Sequence, residues 1–466
     1  MAVSFRFARR PWRLLFAALL FFFTGYSLTR SRHEAPKVPS HYYQKKTKSF
    51  FPPLRSSGGS IEPDYCEGFP TQLLENIQVV LKTGAGDSPK NKAHLSTVTS
   101  CINNLIIVSD HDEKIGDNLV IDILGTLPAS YGVNNTDFEA YAAHKKQHAE
   151  GDMVSYSQAG WKLDRFKFLP MIDKAYELNP KASWYVFLES DVYFFWDTLF
   201  RLLDQMDPAL PHYIGSPVAG SNDRYFAYGG AGFVLSQGLM EKLYPAKPGV
   251  AAGTPSNKLS VQYEQWAKED CCGDAVLGYA ILNSTGTRLE ALYPTFSGDE
   301  LKNIKIDRDR WCVPLLSLHR VGPDQMEQLW KWERTRPFTQ KPFVYSSLLA
   351  YTHAHLRDGP VREFWDNLSE MPVPNDRPAH RDANACGSEC HNDPNCLQYS
   401  FSQTVCRHSN YIKLGNSVDK ENGGQGEFTS GWDTETMAAM GFKFDENRNL
   451  HDESCVEANW LLPQSK

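Results

Sequence analysis

Four short runs hold the residues best able to do chemistry. The first, Trp184-Tyr-Val-Phe-Leu-Glu-Ser-Asp-Val-Tyr-Phe194, is an apolar stretch that ends in two carboxylates, Glu189 and Asp191, one residue apart. On a strand, residues i and i+2 point to the same side. Two hard oxygen ligands would then converge on one Mn²⁺ or Mg²⁺ ion that also grips a diphosphate, with Asp191 the first-choice ligand. The second run, Tyr225 to Ser236, centres on Tyr228, Gly229, Gly230, Ala231 and Gly232, where little side chain stands between the backbone and a ligand. It is no Walker loop, since no Lys-Ser/Thr follows, and it lacks dinucleotide spacing; its plain reading is a tight turn between strand and helix. The third run is Asp270-Cys-Cys-Gly-Asp274, and the fourth is Leu316-Ser-Leu-His-Arg320. Their plain readings are an N-cap carboxylate at Asp274 and a partly buried histidine at a strand end, with Arg320 available to phosphate.

The order acid-x-acid, Gly-Gly-Ala-Gly, Cys-x-x-Asp, then His resembles the fringe and core 1 β1,3-galactosyltransferase group, glycosyltransferase family 31, over roughly residues 76–342. The resemblance implies a GT-A fold, a Rossmann-like α/β sheet with the nucleotide at the carboxyl ends of its strands. It also implies inverting transfer of a hexose or N-acetylhexosamine from a UDP-sugar to a glycan or glycoprotein, in a β1,3 linkage. Carried over residue by residue, Asp191 and His319 bind the metal, while Glu189 and Ser190 lie near the ribose or sugar. Asp164 and Lys167 approach the nucleotide, Tyr228 to Gly232 hold the sugar, and Asp274 is the base, with Asp270 and Glu269 as stand-ins. Two departures stand out: the triplet opens with Glu rather than Asp, and Gly273 replaces the first of the family's two acids. They feed a rival reading, a catalytically lapsed carbohydrate-binding or scaffolding protein. A hydrolase using Glu189 and Asp191 as its acid pair would leave the downstream motifs unexplained.

These residues need an α/β layer to position them. Ile77 to Lys82 and Asn104 to Asp110 read as strands, Pro89 to Cys101 as a polar helix, and Trp161 to Tyr176 as a helix despite Pro170. Asp197 to Leu203 and Ser236 to Leu243 read as further helices, and His212 to Ser216 as a strand. Trp161, Phe166 and Phe168 read as core. One of Cys271 and Cys272 is expected to tie its loop to a distant cysteine, because pairing between neighbours is sterically awkward. Cys312 and Cys455 are a candidate pair.

The chain has 466 residues, 41% of them hydrophobic, and a net charge of −7, which leaves no basic surplus for nucleic acid. Arg9, Arg10 and Arg13 precede an uncharged run from Leu14 to Leu28, which reads as a short signal anchor with a cytosolic N-terminus. A cleaved signal peptide is the rival, but no small-x-small site follows the run. Ten cysteines and sequons at Asn134, Asn283 and Asn367 agree with an oxidising lumen, and the Golgi is the natural compartment. The domain reading is 1–13 cytosolic tail, 14–29 transmembrane anchor, 30–75 proline-rich stem, 76–345 GT-A domain, 375–435 disulfide module and 436–466 C-terminal tail. In the module, Cys386, Cys390, Cys396 and Cys406 fall within 21 residues, a density that means disulfides rather than zinc. The stretch Ala385 to Phe401 is similar to PAN/apple modules.

Overall fold

The computed structural model describes residues 64–150, 157–245, 257–335, 342–351, 359–418, 428–440, 442–444, 450–452, 455 and 457–466. The expected anchor and cytosolic tail lie outside them. Among the described residues no helix is long and apolar enough to cross a membrane.

A nine-stranded mixed sheet organises these residues. At its centre β1 (Ile77–Lys82) runs parallel to β2 (Ile106–Ser109) on one side and β3 (Trp184–Glu189) on the other. All three are buried almost along their whole length and mostly apolar, because both faces of the sheet are covered. Val79, Leu81, Val186 and Leu188 point into one core, and Val80, Tyr185 and Phe187 into the other, which is the alternation a pleated strand imposes. β4 (Phe233–Ser236) pairs antiparallel with β3, and beyond it follow Tyr213–Gly215, Glu290–Ala291 and the distant Gln464–Ser465. The result is a mixed α/β fold whose parallel centre fits a Rossmann-like GT-A layer.

The stretch expected as one helix over Trp161 to Tyr176 is broken. It consists of a short helix, Gln158–Leu163, a 3₁₀ turn, Asp164–Lys167, and α1 (Phe168–Leu178). Pro170 sits in the first turn of α1, where its missing N–H has no intrahelical partner to lose. Phe166 and Phe168 are core, as expected, but Trp161, on the short first helix, is 62% exposed. Ser236 caps the helix Gln237–Leu243 by accepting the Leu239 N–H at 3.2 Å.

From Val361 onward the chain builds a second, five-stranded antiparallel sheet. α3 (Ala383–His391) packs on it and is pinned by Cys386–Cys406 and Cys390–Cys396. The two parts are laced together. Ile306 and Ile412 exchange backbone hydrogen bonds of 2.9 and 2.7 Å, and the Gly415 N–H reaches the Lys302 carbonyl at 3.0 Å. The chain then returns: Cys455 joins Cys312, as the candidate pairing had it, and Gln464–Ser465 completes the edge of the first sheet.

One disulfide expectation fails. Cys271 and Cys272 are bonded to each other rather than to a distant partner. The other eight cysteines pair among themselves, Cys66–Cys101 being the remaining bridge, so no third thiol is left for this loop.

Candidate functional site

The parallel register sets Lys82, the last residue of β1, beside Glu189, the last of β3. Both strands therefore end in charge at the same edge of the sheet, where the apolar cores stop. β3 ends at Glu189, and Asp191 lies in a turn closed by the Val192 N–H on the Glu189 carbonyl at 3.0 Å. The two carboxylates thus converge through a turn rather than through the pleat invoked from sequence. His319 arrives from the short strand Ser317–Leu318, and its Nε2 lies 3.7 Å from Asp191 Oδ1. Ligand atoms of Glu189, Asp191 and His319 fall within 4.8 Å of one another.

Two lysines not foreseen in the sequence balance these carboxylates. Lys82, almost wholly buried, bonds Asp164 and sits 3.2 Å from Glu189. Burial opposes its charge, yet Asp164 and Glu189 outweigh burial and hold its pKa above the ordinary lysine value. Burial pushes the Glu189 carboxyl up to about 7, opposed by Lys82 and reinforced by Asp164 and Asp191. Lys90 sits 3.2 Å from Asp191 and 3.3 Å from Asp87. Burial lowers the His319 pKa against the attraction of Asp191, which favours the neutral imidazole a metal requires. The only sequence signal for Lys82 was a charged residue closing an apolar strand. Lys90 had none, because it reaches the site from the helix Ser88–Ser96.

The glycine turn Gly229–Ala231 wedges between these groups. A Cβ on Gly229 would meet Phe168 Cζ at 2.7 Å and Glu189 Oε1 at 2.9 Å, and one on Gly230 would meet the His319 ring at 2.6 Å. The Gly229 N–H donates to Asp274 Oδ2 at 3.0 Å, which brings the third run to the same turn. Tyr228 Oη lies 3.2 Å from His319 Nδ1. Asp274 stands in the first turn of α2 (Gly273–Thr285), and its Oδ1 also accepts the Ala275 N–H at 2.9 Å. Burial raises its pKa above the usual aspartate value although the Gly229 and Ala275 N–H groups pull the other way. Gly273 is needed where it is, because a Cβ there would run into the Arg165 carbonyl and Phe168.

Not every residue expected at the site faces it. Ala231 is fully buried in the core, and Gly232, at φ 70°, leaves no room for a Cβ, which would meet the Phe194 ring at 2.5 Å. Ser190 is buried, its N–H on the Lys82 carbonyl at 3.1 Å. Asp164 is at the edge, held by Lys82. Lys167 is turned inward onto the Thr83 carbonyl at 2.7 Å and Asp110 at 2.9 Å, so its ammonium serves the loop after β1 rather than a free phosphate. Arg320, at φ 53°, is exposed and pairs with Glu300 at 3.0 Å. Of the stand-in acids, Asp270 caps its own loop through the Cys272 N–H at 3.0 Å, and Glu269 is exposed beside Gln265.

A family model described as Fringe-like matches residues 135–305. That span includes Glu189, Asp191, the glycine turn and Asp274, and stops before His319 and the disulfide module. The chain thus carries a Fringe-like domain, and the match supports a glycosyltransferase. No curated protein matches the chain.

Proposed function

We propose that the protein is a metal-dependent, inverting glycosyltransferase that moves a hexose or N-acetylhexosamine from a UDP-sugar onto a glycan or glycoprotein, in a β1,3 linkage. The observation that carries this reading is the convergence of Glu189, Asp191 and His319 beside a glycine turn whose first N–H is held by Asp274. Two carboxylates and an imidazole are a donor set that suits Mn²⁺ or Mg²⁺, and the lysine ammoniums beside the carboxylates mark where positive charge is wanted. Asp191 and His319 would hold the cation, with Glu189 kept by Lys82 for the ribose or sugar. When bound, the cation neutralises the departing diphosphate as a Lewis acid. With Nδ1–H donated to the Tyr228 oxygen, His319 presents the Nε2 lone pair toward Asp191, and Tyr228 holds that ring in place.

Asp274 takes the proton of the attacking acceptor hydroxyl. Its oxygens accept the Gly229 and Ala275 N–H groups, and the raised pKa makes it a stronger base than a solvated aspartate. Gly229 and Gly230 let the sugar lie against backbone. The anchor at 14–29, a type II topology and a Golgi lumen complete the reading, supported by five disulfides and the Fringe-like match.

The test is UDP release by the full chain across a panel of UDP-sugars, with Mn²⁺ or with EDTA, for wild type and Asp191→Asn. Turnover that needs both Mn²⁺ and Asp191 is the expected result. Failure to bind UDP under any condition would sink the reading. The second reading, a catalytically lapsed carbohydrate-binding or scaffolding protein, draws on Lys90, which neutralises Asp191 from within the chain. It predicts Mn²⁺-dependent UDP binding with no turnover on any acceptor.

A further inference from the structure

We propose that the cleft between the disulfide module and the catalytic layer is a second binding site, for a neutral saccharide. The cleft encloses about 450 Å³, within the range of small-molecule sites, and Asn303 of the catalytic layer lines it together with module residues. Its charges indicate the ligand. Glu370 is matched by Lys413 and by Lys305 at 3.5 Å. Arg407, half-buried, makes no ion pair or side-chain hydrogen bond among the described residues, and Asp366 has no cation there, its carboxylate accepting the Leu368 N–H at 2.8 Å.

One unpaired guanidinium and one carboxylate without a cation, with Ser402 and Gln403 lining the same cleft, ask for a ligand that both donates and accepts. An anion would meet Asp366 and Glu370, and a cation would meet Arg407 and Lys413. An apolar ligand would strip water from every one of these groups without replacing its hydrogen bonds. A neutral ring of hydroxyls satisfies both signs, and Leu368 and Phe428 supply apolar surface for its C–H face.

The backbone around the cleft points the same way. Gln403 and Thr404, at φ 49° and 63°, are the two loop residues of the hairpin 398–409, whose turn itself requires positive φ, whereas Leu368 at φ 58° occupies the left-handed region that glycine or asparagine takes more readily. Such conformations persist where the surroundings enforce them, and they concentrate at binding sites. Here the enforcement is visible. Asn367 is fully buried, and its amide donates to the Tyr399 and Gly431 carbonyls at 3.0 and 3.2 Å while its Oδ1 accepts from Ser369 at 2.8 Å.

This site does not rest on the transferase reading, and its test separates the two. Saturation-transfer NMR on the full chain, without UDP, would use the methyl glycosides of galactose, glucose, mannose and N-acetylglucosamine, with sodium acetate and phosphate as anion probes. At least one glycoside is expected to bind with millimolar affinity. Arg407→Ala and Gln403→Ala should each weaken it about tenfold, the scale of one charged or strong hydrogen bond, with melting unchanged because neither side chain has a partner in the described fold. Asp191→Asn should leave glycoside binding intact. Binding of no glycoside, binding that survives both cleft variants, or binding of the anion probes alone would overturn the proposal.

Discussion

Replacing Gly230 with alanine would insert one methyl between the glycine turn and His319. The new Cβ would stand 2.6 Å from both Cε1 and Nε2 of His319 and 2.9 Å from Tyr228 Cζ, where ordinary contact begins at 3.4 Å. Gly230 is not among the residues at positive φ, so the backbone tolerates alanine and the cost is steric. Relieving the overlap requires a displacement of about 0.8 Å, roughly four times the tolerance of about 0.2 Å on metal–ligand distances. The folded state should lose about 1–3 kcal/mol from overpacking. Apparent Mn²⁺ affinity should fall between about 10- and 100-fold and kcat/KM about 100-fold, as expected for a displaced ligand and a misplaced reacting centre. UDP release against Mn²⁺ concentration would read both quantities. In a His319→Ala background the larger overlap is gone and only the Tyr228 contact remains, so Gly230→Ala should cost clearly less there than in the wild type, and the double-mutant cycle should show coupling. A wild-type Mn²⁺ response in Gly230→Ala, or additive effects of the two substitutions, would refute the argument.

Asp274 yields a pH prediction. Because burial raises its folded pKa, the base is ionised only above that value, so kcat/KM should fall with decreasing pH at a point above the ordinary aspartate range. That limb should not move with Mn²⁺ concentration, as a limb belonging to the metal ligands would, and a profile flat down to about pH 4 would exclude Asp274 as the base. Peptide mapping by mass spectrometry should find glycan at the exposed Asn134 and Asn283 but none at Asn367, whose amide is buried and doubly bonded. Asn367→Ala should lower stability by about 3 kcal/mol by leaving those carbonyls unpaired, measured by denaturant unfolding. Breaking Cys312–Cys455, which spans 143 residues, should cost about 5 kcal/mol on the loop-entropy scale, whereas Cys271–Cys272 encloses almost no chain and its removal should change unfolding little.

The sequence was most legible where a run had one physical meaning. β1, β2 and β3 are apolar on both faces, and the structure forms them within two residues of the expected limits. The motifs at Asp191, Gly229, Asp274 and His319 were visible because glycines and isolated charges at element ends have few other uses. What could not be read was the pairing between distant segments. That Lys82 stands beside Glu189 follows from strand register, and that Lys167 turns inward follows from Asp110 at the end of a neighbouring strand. The helix around Pro170 was misread because its apolar spacing continues through a change from 3₁₀ to α geometry. Asn367 illustrates the limit of a local motif: a sequon records three residues, while burial is decided by strands more than thirty positions away.

The return of Gln464–Ser465 to the edge strand and the Cys312–Cys455 bridge make the disulfide module an excursion tethered at both ends. A protease that cuts once between residues 345 and 455 would open the polypeptide without releasing anything, and the two pieces would part only on reduction. The module is therefore not an interchangeable bead on a string. Any chimera that borrows it must also borrow the strand that closes the first sheet, so the two parts can be exchanged only together.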